Sequence, residues 1–200
     1  MQSNPEIRVL LLAGGKSQRM GKDKAALLYD GKSQLDRMIE LVTPLEMEVY
    51  LSVREDQSHS GIPGVKALYD NEKYAGVGPM GGMLSAFSKF TDTAFLVIAC
   101  DLPFLDLEIL QFLLQQRDPA QFATAFASNH DGLPEPLCAI WEPESREILE
   151  EKLRADIRCP RKILIQGNLN LLKLPKPDAL DNINTPEEYE AAFKKLSSTE

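Results

Sequence analysis

The chain has 200 residues, 44% of them hydrophobic and 26% charged, which is typical of a globular protein rather than a disordered or fibrous one. Its 30 acidic residues outnumber its 22 basic residues and give a formal net charge of -8 at pH 7. Because nucleic-acid-binding proteins usually carry a basic surface, this balance argues against a nucleic-acid partner. The length suits one folding unit, so we expect a single domain over residues 1–200.

The cysteines and the apolar stretches indicate in which cellular compartment the protein is expected. Cys100, Cys138 and Cys159 are widely separated and odd in number, which fits neither a disulfide framework nor a zinc site. No apolar stretch approaches the roughly 20 residues that span a bilayer, and residues 1–6 lack an export pattern. We therefore expect a cytoplasmic protein with reduced thiols and no membrane contact.

Short apolar runs alternate with helical patterns along the chain, which predicts an α/β domain with a mainly parallel sheet. The predicted strands are residues 7–12, 48–53, 66–69, 94–99, 121–128, 136–141 and 169–174. The predicted helices are residues 33–42, 81–90, 106–116, 143–153 and 186–196. Asp106 is the predicted N-cap of one helix, and Thr185 before Pro186 predicts the start of the last.

A glycine-rich segment directly after the first strand is the most informative part of the sequence. Residues 11–25 read LLAGGKSQRMGKDKA. The glycines allow backbone N–H groups to approach a polyanion closely, and Arg19 and Lys24 add positive charge. The segment matches neither of the two common glycine-rich nucleotide-binding motifs. It predicts a phosphate loop, and an ordinary glycine turn with solvated bases is the alternative.

Asp101 follows the buried strand at residues 94–99. Ligands of open α/β sheets gather at the carboxyl ends of the strands, where a carboxylate can hold a hard divalent cation together with phosphate oxygens. Asp101 is therefore a predicted ligand of a divalent cation, and a turn aspartate is the alternative.

A carboxylate can also recognise a base. Guanine offers N1–H and N2–H₂ as paired donors, which one carboxylate can accept together, whereas adenine and cytosine cannot match this pattern. Asp70, at the end of the third predicted strand, is the candidate for this contact. The glycines that follow it, Gly76, Gly78, Gly81 and Gly82, form either a flexible loop over the base or the lead-in to a helix.

The isolated ring side chains carry less functional signal. His59 and His130 lie in predicted loops with no partner carboxylate evident, so we interpret both as surface residues. Trp141 is interpreted as core or pocket wall.

Several segments together resemble one family. Residues 12–24 match the signature L-A-G-G-x-S-x-R-M-G-x-D-K of the molybdenum cofactor guanylyltransferases, the MobA-like nucleotidyltransferases. Segments GPMGG, ACDLPFL, EPLCAIW and NINTPEE, at residues 78–82, 99–105, 135–141 and 182–188, extend the resemblance over nearly the whole chain. The resemblance implies a three-layer α/β sandwich of the Rossmann-like nucleotidyltransferase type.

The resemblance also implies roles for particular residues. It implies that the nucleotide is bound by Leu12, Ala13, Gly14, Gly15, Lys24, Ser52, Asp70 and Asp101. Magnesium would be held by Asp101 and by Asn184, at a position where many related transferases carry aspartate. Asn184 and Asn182 could instead cap the last helix. Arg19, Lys24 and Asp101 would act in catalysis.

The molecule that accepts the nucleotidyl group would face a basic segment at residues 158–162, which includes Arg161 and Lys162. It would also face Asn182. The alternative for that segment is a solvated helix start. The implied reaction transfers GMP from GTP to the terminal phosphate of molybdenum-bearing molybdopterin, with Mg²⁺ as cofactor and pyrophosphate as by-product. Transient contacts with proteins that deliver or accept the cofactor also fit this reaction.

Two classes of alternative stay open. An enzyme of the same fold could use CTP or activate a sugar phosphate, and a non-catalytic module could bind the pterin. Retention of both Lys24 and Asp101 argues against the non-catalytic module.

Overall fold

The computed structural model describes residues 4–13, 27–29, 31–53, 62–183 and 185–197. Its strands are β1 (Glu6–Leu12), β2 (Leu28–Tyr29), β3 (Lys32–Ser33), β4 (Val49–Val53), β5 (Val65–Tyr69), β6 (Thr93–Ala99), β7 (Ala123–Ala127), β8 (Pro134–Trp141) and β9 (Asn170–Lys173). Its α-helices are α1 (Gln34–Val42), α2 (Pro79–Lys89), α3 (Leu107–Gln115), α4 (Ser145–Arg154), α5 (Pro160–Gln166) and α6 (Pro186–Ser197). Short 3₁₀ turns lie at Thr43–Leu45 and Glu72–Tyr74.

Seven strands form one sheet in the order β5-β4-β1-β6-β8-β7-β9. Strand β8 runs antiparallel to both of its neighbours, and the other pairs in this sheet are parallel. Strands β2 and β3 form a separate small hairpin. The prediction of a mainly parallel sheet is therefore confirmed. Within the described ranges, no helix is both long and apolar enough to cross a membrane.

The sheet is buried on both faces because its strands are apolar at consecutive positions. Val9 and Leu11 of β1 point to one face, where α1 and α3 pack, and Leu10 points to the other, where α2, α4 and α5 pack. This arrangement follows from the two-residue side-chain period of a strand. Helices on both faces give the three predicted layers.

The predicted helix caps are confirmed. The Asp106 carboxylate accepts a hydrogen bond from the Ile109 backbone N–H at 3.0 Å. Thr185 Oγ1 accepts from the Glu188 N–H at 3.2 Å, and Glu188 Oε2 accepts from the Thr185 N–H at 3.0 Å, which is a reciprocal capping box.

The bounds of each predicted strand and helix lie within two residues of the observed bounds. The sequence prediction omitted β2, β3 and α5. The two strands have two residues each, too few to show a period. Helix α5 has seven residues and begins at Pro160, so a helix starts within residues 158–162.

A buried ion pair connects the chain start to the antiparallel part of the sheet. Arg117 donates to both carboxylate oxygens of Glu142, from Nε and NH2, at 2.7 Å each. The Glu142 side chain is fully buried, and the Arg117 side chain is 10% exposed. A further N–H of Arg117 donates to the Pro5 carbonyl at 3.0 Å. These contacts satisfy a charge that would otherwise be buried without a partner.

We predict that Arg117→Met destabilises the protein by about 3–5 kcal/mol, because it leaves the Glu142 carboxylate buried and unpaired. The double variant Arg117→Met/Glu142→Leu should be less destabilised than Arg117→Met alone, since it removes the orphaned charge as well. Urea unfolding of both variants and the parent measures this difference. A double variant that unfolds more easily than the single one would contradict the prediction.

Candidate active site

Residues from four strands meet at one edge of the sheet. The parallel registers place Leu12, the last residue of β1, opposite Ser52 of β4 and Ala99 of β6. Asp70 directly follows β5, and Asp101 comes two residues after β6. Because these strands are parallel, their carboxyl ends share an edge, as predicted for a ligand site. The predicted nucleotide residues Leu12, Ser52, Asp70 and Asp101 therefore lie along that edge.

Ser52 and Asp70 are joined by a hydrogen bond. The Ser52 hydroxyl donates to Asp70 Oδ1 at 3.2 Å, and the Asp70 N–H donates to the Val53 carbonyl at 3.3 Å. Ser52 is 4% exposed, so its hydroxyl orients the Asp70 carboxylate from beneath. Ala13 is buried beside them at the end of β1.

The start of α2 packs closely on this pair. A Cβ atom on Gly82 would lie 2.3 Å from Ser52 Oγ and 3.0 Å from Leu12 Cδ2. A Cβ atom on Gly81 would lie 2.7 Å from the Tyr74 carbonyl oxygen and 3.6 Å from Asp70 Oδ2. Both glycines are buried within the helix, so for them the helix lead-in is the observed alternative. Their small size lets the helix pack closely on Leu12, Ser52 and Asp70.

The segment before α6 returns to Asp101. The Ile183 N–H donates to the Asp101 backbone carbonyl at 3.1 Å. Ile183 and Ala192 of this region pack in a small cluster with Leu27 and Tyr29, which follow the glycine-rich segment. These contacts bring the segment at residues 182–188 next to Asp101. They also bring it next to the residues that follow the glycine-rich segment.

A cleft of about 740 Å³ opens beside Asp101. It runs between the β7–β8 turn, the start of α5 and the segment before α6, and its lining includes Asp101, Arg161 and Asn182. The structure thus brings together one predicted catalytic residue and two predicted acceptor residues. Lys162 is exposed and is not part of this lining.

Arg161 is bound to two carboxylates in the cleft. Its NH1 donates to Asp131 Oδ2 at 3.1 Å, and its NH2 donates to Glu135 Oε1. Partial burial disfavours the charge of Arg161, but its hydrogen bond to Glu135 and the charges of both carboxylates raise its pKa above the usual value. The cation is therefore fixed in place by the β7–β8 turn and the start of β8.

The interpretation of His130 as a residue without a partner is wrong. Its Nε2 lies 2.7 Å from Asp181 Oδ1 across the cleft mouth. The hydrogen bond to Asp181 raises the pKa of the exposed His130, so the contact favours the protonated ring. The partners are 51 residues apart, and no sequence pattern connects them. Trp141, by contrast, is fully buried in the core, as predicted.

Cys138 lies in the floor of the cleft but is a poor nucleophile. Burial, with a smaller contribution from the charge of Glu135, raises the pKa of its thiol to about 12. A thiol that stays protonated at neutral pH does not attack phosphorus readily.

Five predicted site residues lie outside the described residues: Gly14, Gly15, Arg19, Lys24 and Asn184. His59 does as well. Among the residues that are described, no group of three or more His, Cys, Asp or Glu side chains could hold a metal ion by itself. The carboxylate of Asp101, two residues after β6, offers hard oxygen ligands. Such ligands suit a divalent cation that takes its remaining ligands from phosphate and water.

Comparison with known proteins identifies the family. The model of the MobA-like NTP transferase domain matches residues 9–169. The chain belongs to this family. A bifunctional molybdenum cofactor biosynthesis protein of Synechocystis sp. is 33% identical over 181 residues, which are 90% of this chain. The chain spans 52% of the length of that protein.

Relatives of similar length extend the family assignment. A probable molybdenum cofactor guanylyltransferase of Nostoc sp. is 31% identical, with 91% of this chain and 88% of that protein covered. The crystal structure of molybdopterin-guanine dinucleotide biosynthesis protein A from Archaeoglobus fulgidus superposes with a TM-score of 0.78 at 25% identity. That superposition covers 96% of this chain and 99% of the other. Family members are nucleotidyltransferases, and this chain is one of them.

We predict that Gly82→Ala destabilises the protein by about 1–3 kcal/mol, because the new methyl group overlaps Ser52 Oγ. Alanine is the better helix former by up to about 1 kcal/mol, so the net cost reports the overlap. In a Ser52→Ala background the same change should cost less, since the overlapping oxygen is gone. Unfolding of the four proteins in urea measures the coupling, and strictly additive effects would contradict it.

Proposed function

We propose that this protein transfers GMP from GTP to the terminal phosphate of molybdenum-bearing molybdopterin and releases pyrophosphate. The observation that carries the proposal is the similarity to the Nostoc protein, which is named as a probable guanylyltransferase and aligns over 91% of this chain. The arrangement of the strand edge supports it, because Asp101 lies between the Ser52–Asp70 pair and the cleft. The nucleotide can therefore bind on one side of Asp101 and the acceptor on the other.

The nucleotide half of the site is assigned to the ends of β1, β4 and β5. We assign Asp70 to the guanine N1–H and N2–H₂ donors, with Ser52 holding its carboxylate from beneath. A carboxylate has about four acceptor sites, so a hydrogen bond from Ser52 is compatible with contacts to a base. Leu12 and Ala13 then line the base and ribose. Gly14 and Gly15 would contact the phosphates through backbone N–H groups.

Charge neutralisation of the triphosphate is assigned to Arg19, Lys24 and a magnesium ion. The ion would be held by Asp101 and Asn184 and by the nucleotide itself, in keeping with the hard oxygen donors at this edge. When bound, magnesium supplies Lewis-acid stabilisation of phosphate oxygens. Arg19 and Lys24 stabilise charge that develops on the departing pyrophosphate.

The acceptor half of the site is assigned to the cleft, with Arg161, Asn182 and the nearby Lys162 as acceptor residues. An oxygen of the acceptor phosphate attacks the α-phosphorus of GTP, and the bond from that phosphorus to the bridging oxygen breaks. Both electrons of the broken bond leave with pyrophosphate. A phosphate monoester is already anionic at neutral pH, so the attack needs no general base. We also propose that the reaction takes place in the cytoplasm, with transient contacts to proteins that supply or accept the cofactor.

We expect product from GTP when the protein is incubated with magnesium, molybdenum-bearing molybdopterin and each ribonucleoside triphosphate in turn. Chromatography with mass detection should identify the guanine dinucleotide of the pterin and an equal amount of pyrophosphate. Product from CTP instead would replace the proposal by cytidylyl transfer. Turnover with a sugar phosphate but not with the pterin, or binding of the pterin without turnover, would also exclude it.

The same panel, repeated with Asp70→Ala, tests the source of the base preference. Because a charged hydrogen-bond pair is lost, the kcat/KM for GTP should fall by about 10- to 100-fold. The weak activity with CTP should change less. Equal losses for both nucleotides would show that Asp70 contacts a part common to both.

A separate prediction concerns the ion. Asp101→Asn keeps the shape of the side chain but removes its charge, so turnover at limiting magnesium should fall to near zero. Excess magnesium should restore part of it, because the defect is one of ion affinity.

Lys24→Ala is the matched comparison for Asp101→Asn. It should lower turnover by about 10²- to 10³-fold, because a preorganised charge on the phosphates is lost. Excess magnesium should leave that loss unchanged. Parent-like turnover of folded Asp101→Asn protein at limiting magnesium would contradict the assignment of the ion to Asp101.

A further inference from the structure

The cleft beside Asp101 has an acidic lining. Its carboxylates are Asp101, Asp131, Glu135, Asp181 and Glu188, and its cationic side chains are Arg161, Lys195 and, when protonated, His130. A purely anionic ligand would meet more repulsion than attraction here. The lining therefore favours a ligand that also presents hydrogen-bond donors to the carboxylates.

Glu135 is a carboxylate of the cleft that can accept such donors. It lies on β8, a strand of the sheet, and its side chain is 22% exposed. Arg161 donates to its Oε1, whereas its Oε2 accepts no hydrogen bond from the residues that the structure describes. Because each carboxylate oxygen has two lone pairs, both oxygens of Glu135 can accept further donors.

Asp131 differs although it contacts the same guanidinium. Its Oδ2 accepts from Arg161 of α5, and its Oδ1 accepts from the Leu133 N–H at 3.0 Å, so each of its oxygens already accepts one hydrogen bond. Asp131 also lies on the turn rather than on a strand. These contacts suit a residue that shapes the turn and holds Arg161.

The walls around Glu135 suit a flat heteroaromatic ring. Apolar side chains from three parts of the chain line the cleft: Leu102, Phe104, Pro136, Leu137, Leu180 and Ile183. The volume of about 740 Å³ lies within the range of small-molecule sites. These apolar side chains can contact the faces of a ring while the polar groups of the cleft fix its orientation.

We propose that Glu135 recognises the 2-amino-4-oxo edge of the pterin, accepting from its ring N–H and its exocyclic amino group. The inference rests on the proposed function, which supplies a pterin as acceptor. Arg161 acts as a positioning residue, since its ion pair fixes the Glu135 carboxylate. Two of its five N–H donors are engaged by Asp131 and Glu135, so others are left for the acceptor phosphate.

The test compares two fluorescent probes that lack phosphate: 6-(hydroxymethyl)pterin and 6-(hydroxymethyl)lumazine. The lumazine carries an oxo group in place of the 2-amino group, so it presents an acceptor to Glu135. At a pH where both rings are neutral, fluorescence titration of the full chain should show pterin binding about 10- to 100-fold tighter. Equal affinity for the two probes in the parent protein would overturn the proposal.

Glu135→Gln should reduce the preference to about twofold or less, because the amide offers one acceptor in place of two. The matched control is Asp131→Asn, which weakens the other ion pair of Arg161 and should keep most of the preference. Circular dichroism checks that both variants are folded. Retention of the preference in folded Glu135→Gln protein would refute the assignment, as would its loss in Asp181→Asn instead.

GTP-dependent product formation, measured in parallel, separates this inference from the proposed function. A parent protein that forms no guanine dinucleotide but prefers pterin over lumazine through Glu135 would refute the guanylyl transfer and keep the pterin assignment. Product formation with an unchanged KM for molybdopterin in Glu135→Gln protein would refute the assignment and keep the transfer.

Discussion

The pairing of β1 with two parallel neighbours is the constraint on which the site depends. Its register brings Leu12 level with Ser52 on one side and with Ala99 on the other. A shift of one residue would turn the side chains of β1 to the opposite faces of the sheet and exchange the two cores. Ser52 is in turn level with Leu68 of β5, so Asp70 and Asp101, which follow β5 and β6, lie at the same edge of the sheet. Helix α2 can approach this edge because Gly82 has no side chain.

The remaining half of the site is supplied by segments that come late in the chain. Because β8 is antiparallel, the β7–β8 turn lies at the same edge as Asp101 rather than at the opposite end of the sheet. Helix α5 approaches that turn through the ion pairs of Arg161, and the segment before α6 approaches Asp101 through Ile183. The proposed nucleotide and acceptor sites therefore rest on different parts of the sheet, with Asp101 at their boundary.

Sequence reasoning succeeded where local patterns carry the information. Continuous apolar runs identified the long strands, and Asp106 and Thr185 identified helix starts, because strand burial and capping act over a few residues. It placed Asp70 and Asp101 at strand ends for the same reason. It could not find the contacts of His130 with Asp181 or of Arg161 with Glu135, which join segments separated by 51 and 26 residues. Charge type alone does not indicate which of many acidic residues will meet a given cation.

The ion pair of Arg117 with Glu142 has a consequence for the order of assembly during synthesis. The carbonyl of Pro5, at the entrance to the first strand, is held by a guanidinium that is itself oriented by a carboxylate immediately after β8. Ribosomes release the chain from its amino end, so this anchor forms after residue 142 has emerged. Until β8 has also emerged, β6 lacks its antiparallel neighbour, so the sheet has an unpaired strand edge. Residues from the second half of the chain thus anchor the entrance to the first strand, while β1 itself pairs with β4 and β6.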